Sequence, residues 1–157
     1  MGASVLRLLL AWSHLLALAI GVGGVWSRAR ALRSYVRDAD DTRALRRAYA
    51  GDAWWGVAAA LWLTTGVWRL FGHTEKSTSY YVGNQVFRLK ITLFVCVVLL
   101  ELWPMLTLIK WRGRKAEPNA RDAHRMEIIS YVECAIVIAI VLAAVSMARG
   151  FGATVGG

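Results

Sequence analysis

Four long apolar stretches alternate with segments rich in charged residues, and this pattern is the main structural signal of the chain. The stretches cover residues 8–26, 53–71, 91–109 and 128–148. Helices of roughly 20 residues can cross a hydrocarbon core about 30 Å thick. The stretches lack the alternation of transmembrane β-strands, and only helices or closed barrels satisfy their backbone in lipid. The pattern therefore predicts an all-α four-helix bundle integral to a membrane.

The predicted bundle is a single domain, and its basic residues predict how it is oriented. The domain covers 1–157, with spans of about 5–27, 52–71, 88–111 and 127–149. The first loop contains Arg28, Arg30, Arg33, Arg37, Arg43, Arg46 and Arg47, and the third contains Arg112, Arg114, Lys115, Arg121 and Arg125. Lysine and arginine accumulate in cytoplasmic loops. Both loops are therefore predicted to face the cytoplasm, with both termini on the outer side.

The first loop also carries a helical pattern. Either Asp40 or Asp41 can cap a short amphipathic helix that ends at Gly51, and Asp52 can then cap the second span. We expect this short helix to rest on anionic lipid head groups through its arginines. Binding of a soluble partner is the alternative.

Composition agrees with a membrane protein that has basic loops. Apolar residues make up 57% of the 157 residues, charged residues 18%, and the formal net charge is +9. Soluble domains have about 25% charged residues. Nucleic acid is not an expected partner, because the arginines lie in short loops between apolar stretches. The expected partners are anionic lipids and, as a hypothesis, another membrane protein or a second copy, in the bacterial inner membrane.

His14, Glu101 and Glu133 lie well inside the predicted spans, away from the span ends, where ionisable groups are expensive and often functional. His14 is central in the first span, and we interpret it either as a haem or metal ligand or proton carrier, or as a neutral histidine bonded between helices. Glu101 lies just before Pro104, at a depth that makes His14 its predicted partner. Glu133 is closer to the cytoplasmic side. Glu101 and Glu133 together are candidates for a proton or polar relay.

Basic residues at the outer ends of the spans are candidates for anion binding. Lys90 can hold an anionic group such as a porphyrin propionate or a lipid phosphate, or it can serve as an interface anchor. Arg69 and Arg149 end the second and fourth spans, where cations also stabilise helix C-termini. For Glu133, the predicted partners are Arg125, Arg112 or a hydroxyl group at that depth.

The order of several short motifs resembles a bacterial membrane family known as domain of unknown function 2214. The motifs are His14, Asp52-Ala-Trp-Trp-Gly56, Gly66 to Phe71, Lys76, Tyr80-Tyr81, Asn84, Phe87, Lys90, Trp111-Arg112 and Met147-Ala-Arg-Gly150. That family is distantly similar to the copper-resistance protein CopD and the haem-biosynthesis protein HemJ. HemJ-like proteins oxidise protoporphyrinogen, and the resemblance implies that His14 ligates haem and that Lys90 is a second functional residue.

Three hypotheses for function follow. The first is a haem- or porphyrin-linked membrane protein that binds haem b through His14, with Lys90, Arg69 or Arg149 near the propionates. The second is a non-catalytic accessory subunit of a larger membrane complex. The third is a small proton- or metal-linked transporter that uses Glu101, Glu133 and His14. The sequence carries no hydrolase, kinase or nucleotide-binding signature.

Overall fold

The fold is a bundle of four α-helices. The computed structural model describes residues 2–71, 84–116 and 118–151, and the regular structure within them is α-helical. The helices are α1 (Gly2–Arg37), α2 (Thr42–Phe71), α3 (Gln85–Arg112) and α4 (Ala120–Ala148). The all-α, four-helix prediction is therefore confirmed. Lys76 and Tyr80-Tyr81, which belong to the family motifs, lie outside the described residues.

The helices occupy the four corners of the bundle in the order α2, α1, α4, α3. The longest interface joins α1 to α2, and α4 packs against both α1 and α3. The contact between α2 and α3 is slight, so a cleft separates these two helices. A side chain on α1 that points toward the bundle axis can therefore reach all three other helices.

A glycine pair sets how closely α1 and α2 approach. A Cβ atom on Gly51 would lie 2.7 Å from the carbonyl oxygen of Gly24 and 2.9 Å from the backbone nitrogen of Arg28. A Cβ atom on Gly24 would lie 2.9 Å from the carbonyl oxygen of Gly51. No larger residue fits at either position without moving the helices apart. This contact brings Arg28 next to α2 at the level of Asp52.

The outer surface of the bundle is apolar. Large side chains such as Leu8, Trp12, Leu99, Ile138 and Leu142 are each at least 60% exposed. Among the residues that the structure describes, three helices are long and apolar enough to cross a membrane, over Ser4–Arg37, Gln85–Arg112 and Ala120–Ala148. The apolar part of α2 contains several tryptophans and Arg69, which lower its hydropathy. An apolar surface of this extent is suited to lipid.

The first predicted loop differs from the structure. Its predicted short helix is the beginning of α2, and only residues 38–41 connect α1 to α2. Asp41 is the cap, because its Oδ1 accepts hydrogen bonds from the backbone N–H groups of Arg43 and Ala44. The helix does not stop at Gly51, because this glycine serves the close contact with α1. Asp52 is consequently an interior residue of α2 and not a cap.

Two buried apolar clusters surround the middle of the bundle. One cluster lies toward the end of the bundle that carries the arginine-rich connections, and it includes Leu32, Leu108 and Met126. The other lies toward the opposite end and includes Trp62 and Val137. Between them is a layer of buried ionisable side chains. The helices that carry the apolar clusters therefore hold this polar layer in place from both sides.

Candidate functional site

The polar layer is centred on Arg28, whose side chain is fully buried. Nη1 donates to Oδ1 of Asp52 at 2.9 Å and to Oε1 of Glu101 at 2.6 Å. Nη2 donates to Oε2 of Glu101 and to Oε2 of Glu133, both at 2.7 Å. Nε donates to the hydroxyl of Ser130 at 3.0 Å. We call these five residues the Arg28 cluster.

The Arg28 cluster connects all four helices through one side chain. Arg28 is on α1, Asp52 on α2, Glu101 on α3, and Ser130 and Glu133 on α4. A guanidinium group has five N–H donors in a planar fork, and each of the five has an acceptor here. The pair with Glu101 is bidentate, which is the strongest geometry for an arginine and a carboxylate. The cluster is therefore well defined geometrically as well as buried.

The charges of the Arg28 cluster do not balance. Three carboxyl groups surround one guanidinium, so the fully ionised cluster has two negative charges in excess. Burying uncompensated charge is expensive, and coupled carboxyl groups relieve this cost by sharing protons. The cluster is electrically neutral only when two of its carboxyl groups are protonated.

Glu133 is the most enclosed of the three carboxyl groups. Its side chain is 0% exposed, compared with 12% for Asp52 and 16% for Glu101. Oε2 of Glu133 binds Arg28, whereas Oε1 is buried and has no hydrogen-bond partner among the described residues. A buried carboxylate oxygen without a donor is costly. Oε1 of Glu133 is therefore an unsatisfied polar atom in the wall of the Arg28 cluster.

His14 lies in a separate polar contact, about 21 Å from Arg28 along α1 at 1.5 Å per residue. Its Nε2 is 2.8 Å from the indole Nε1 of Trp62, and its Nδ1 is 2.9 Å from the hydroxyl of Thr65. An indole N–H only donates, so Nε2 is an acceptor. A neutral ring that has its proton on Nδ1 and donates to Thr65 satisfies both contacts. This is the second interpretation of His14, a neutral histidine bonded between helices.

The structure corrects the predicted partners of the two glutamates. The prediction that Glu101 pairs with His14 is wrong. Glu101 binds Arg28, which is several helical turns away from His14 along α1. The charged partner of Glu133 is Arg28 and not Arg112, whose Nη2 donates to the backbone carbonyl of Tyr49. The structure does bring Glu101 and Glu133 together on one nitrogen of Arg28.

A cavity of about 130 Å³ brings His14 and Lys90 together. It lies at the cleft between α2 and α3, and Trp62, Gly66, Phe87 and Phe94 also contribute to its wall. Two other predicted binding residues lie near the helix ends. Arg69 is in the last turn of α2. Arg149 caps the C-terminus of α4, and its N–H donates to the carbonyl of Val145 at 3.2 Å.

Metal binding has no obvious site in the described part of the chain. Residues 2–71, 84–116 and 118–151 contain no group of three or more His, Cys, Asp or Glu side chains arranged to hold a metal ion. The carboxyl groups of the Arg28 cluster point their oxygens at a guanidinium, which occupies the position that a cation would need.

Sequence reasoning missed Arg28 and Asp52 as site residues. The sequence pattern places Arg28 with the arginines of the first loop, because it follows the apolar stretch directly. A signal was present: Gly21, Gly24 and Arg28 are spaced three and four residues apart and lie on one face of a helix. In a helix that continues to Arg37, this spacing places Arg28 on the face along which the glycines pack.

Fold and site together define an all-helical membrane protein with a charged cluster inside its bundle. The chain belongs to the family described as "Predicted membrane protein (DUF2214)", whose family model matches residues 6–152. This confirms the family prediction and the prediction of a multi-pass membrane protein. No curated protein and no solved structure matches the chain. Similarity to CopD and HemJ, and location in the bacterial inner membrane, stay predictions.

Proposed function

We propose that this protein is a small proton-linked transporter in which the Arg28 cluster takes up and releases protons. The observation that carries this proposal is the sharing of one buried guanidinium by three carboxyl groups from three other helices. Ionisable groups inside a membrane-spanning bundle commonly mark proton and ion pathways. Charge balance for one arginine needs only one carboxylate, although its five N–H groups need several acceptors. The two additional carboxyl groups are what proton binding requires.

Proton uptake would alter how the helices are held together. Each carboxyl group of the Arg28 cluster ties its own helix to α1 through a charge-assisted hydrogen bond. Such bonds are about twice as strong as bonds between neutral groups. Protonation of Glu133 would weaken the contact between α4 and Arg28, and protonation of Glu101 would do the same for α3. A proton therefore shifts the balance between two helix arrangements, which is the basis of coupling.

The exposure of the three carboxyl groups supports a direction for proton movement. Asp52 and Glu101 retain 12% and 16% side-chain exposure, whereas Glu133 is fully enclosed. Glu101 and Glu133 both accept a hydrogen bond from Nη2 of Arg28, so a proton has a short path between them. Protons would enter the cluster at its partly exposed side, and Glu133, on its enclosed side, would store one.

The haem and accessory-subunit hypotheses stay predictions. Both ring nitrogens of His14 are engaged by Trp62 and Thr65. An iron ligated by His14 would have to displace one of these contacts. The adjacent cavity, about 130 Å³, is also smaller than the 300–1,000 Å³ typical of sites for larger ligands. The arrangement around His14 thus favours a structural role over haem ligation, and the proton-linked function does not depend on it.

Proton flux in proteoliposomes tests the proposal. A pH-sensitive dye trapped inside would report proton entry driven by a potassium diffusion potential. We expect flux with the unmodified protein and loss of at least tenfold in Glu101→Gln and Glu133→Gln. Glu127→Gln is the matched control, since Glu127 is on the same helix as Glu133 but pairs with His124 outside the cluster. Flux equal to that of empty liposomes would count against transport.

Infrared difference spectra between low and high pH test proton binding itself. Protonated carboxyl groups have a separate carbonyl band, so the unmodified protein should show a buried carboxyl group that titrates. The band should be absent in Glu133→Gln and present in Glu127→Gln. If the spectra contain no titrating carboxyl band that depends on Glu101 or Glu133, the Arg28 cluster only holds the helices together and the proposed function is wrong.

A further inference from the structure

The cleft between α2 and α3 has features of a ligand site distinct from the Arg28 cluster. Its cavity measures about 130 Å³ and is lined by the aromatic side chains of Trp62, Phe87 and Phe94, together with His14 and Lys90. Trp62 and Phe94 meet edge to face, with ring centroids 5.4 Å apart. The wall is therefore mostly apolar, with a cation at one position.

We propose that this cleft binds a membrane amphiphile with an anionic oxygen group, either carboxylate or phosphate. The anionic group would lie at Lys90, and an apolar part about the size of one ring or a short length of acyl chain would fill the cavity. An apolar cavity of about 150 Å³ can hold a molecule the size of benzene. The cavity here is slightly smaller, so it takes only one such group.

The mouth of the cavity opens toward lipid. Leu63, Val67 and Ile91 line it and are 50%, 47% and 41% exposed. Because α2 and α3 barely contact each other, an apolar chain can enter between them without separating packed helices. A ligand dissolved in the membrane therefore reaches the cavity from the side, and the rest of its chain can remain in lipid.

The charge of this half of the bundle favours an anion. The described residues 2–20, 56–71, 84–97 and 138–151 contain Arg7, Arg69, Arg88, Lys90 and Arg149 but no aspartate or glutamate. In the connecting sequence 72–83, Glu75 and Lys76 cancel each other's charge. Lys90 lines the cavity itself, and Arg69 is on α2, one turn beyond Gly66 of the cavity wall. Both side chains also have interactions within the protein, so a ligand would join an existing cationic arrangement.

Gly66 keeps the cavity open on the α2 side. A Cβ atom at this position would lie 3.4 Å from Cε1 of His14, an ordinary contact distance. A side chain at Gly66 would therefore project into the cavity without striking the backbone. Gly56, on the same helix, has no atom within 4 Å of its Cβ position. The pair Gly66→Leu and Gly56→Leu thus separates filling of the cavity from a general effect of leucine on α2.

Energy transfer from tryptophan to parinaric acid, a fluorescent fatty acid, tests the proposal in phosphatidylcholine nanodiscs. We expect saturable binding of the acid, at least tenfold tighter than binding of its uncharged methyl ester. A tenfold difference corresponds to about 1.4 kcal/mol. Gly66→Leu and Lys90→Gln should each weaken binding of the acid at least tenfold. Gly56→Leu and Arg88→Gln, a neighbouring exposed cation on α3, should leave it unchanged.

Competition identifies the source of the anionic group. Displacement of parinaric acid by oleate assigns a carboxylate amphiphile, and displacement by phosphatidylglycerol but not oleate assigns a phospholipid head group. Displacement by neither overturns the proposal. Equal affinity for the acid and its methyl ester also overturns it, as does a Gly66→Leu variant that binds as tightly as Gly56→Leu. In those cases the cleft is an ordinary lipid-facing surface.

Discussion

Replacement of Arg28 by glutamine removes the positive charge around which three carboxyl groups are arranged. Glutamine has a single amide group and cannot supply the five hydrogen bonds that Arg28 makes. The carboxyl groups of Asp52, Glu101 and Glu133 would be left facing one another. The variant therefore separates the contribution of the buried cation from that of the surrounding apolar packing.

The structure allows the size of this effect to be estimated. Removing one partner of a buried ion pair typically destabilises a protein by about 3–5 kcal/mol. For Arg28→Gln we expect a loss in this range at neutral pH. The loss should shrink as the pH falls, because protonation of the three carboxyl groups removes their mutual repulsion. In the unmodified protein Arg28 compensates one of the three carboxyl charges, so its stability should depend less on pH over the same range than that of Arg28→Gln.

Arg33→Gln is the matched control for this prediction. Arg33 is on the same helix, its side chain is 56% exposed, and its Nε lies 3.8 Å from Oε1 of Glu127. Because Arg33 is exposed and the separation is long, we expect this pair to contribute no more than a surface ion pair, about 0–1 kcal/mol. Both variants change arginine to glutamine in α1, so a difference between them reflects the buried cluster.

Equilibrium unfolding in mixed micelles, with increasing dodecyl sulfate and circular dichroism as the readout, measures both variants. We expect Arg28→Gln to unfold at a much lower dodecyl sulfate fraction than Arg33→Gln at pH 7, and the two to converge at acidic pH. Equal stability of the two variants at pH 7 would refute the reasoning. A loss in Arg28→Gln that does not change with pH would show that the carboxyl groups do not titrate.

Three further predictions concern positions that shape the bundle, and the same unfolding measurement checks each. Gly51→Ala should destabilise the protein by about 1–3 kcal/mol through overpacking, whereas Gly23→Ala, with nothing within 4 Å of its Cβ position, should not. His14→Leu leaves the indole N–H of Trp62 without its acceptor and should cost about 1–3 kcal/mol. Asn84→Ala removes the N-cap of α3 and should cost about 1 kcal/mol.

Much of the fold could be predicted from the order of residues alone. The lengths of the apolar stretches indicated four helices in a membrane, because lipid leaves the backbone few alternatives. The same reasoning identified Glu101 and Glu133, because a single carboxyl group flanked on both sides by apolar residues is evident from the local sequence. What it could not supply was their partner. A residue at the end of an apolar stretch, such as Arg28, has the same local pattern whether it faces water or the bundle.

The tertiary structure decided the composition of the site. Asp52 follows a glycine and precedes an apolar stretch, which by local rules is a helix start. It is interior to α2 because Gly51 packs against Gly24 on another helix, a contact between residues distant in the chain. Helix formation and membrane insertion depend on local hydropathy and were determined by the sequence itself. The gathering of Arg28 with three carboxyl groups depends on how four helices rotate and pack, which no single stretch of sequence encodes.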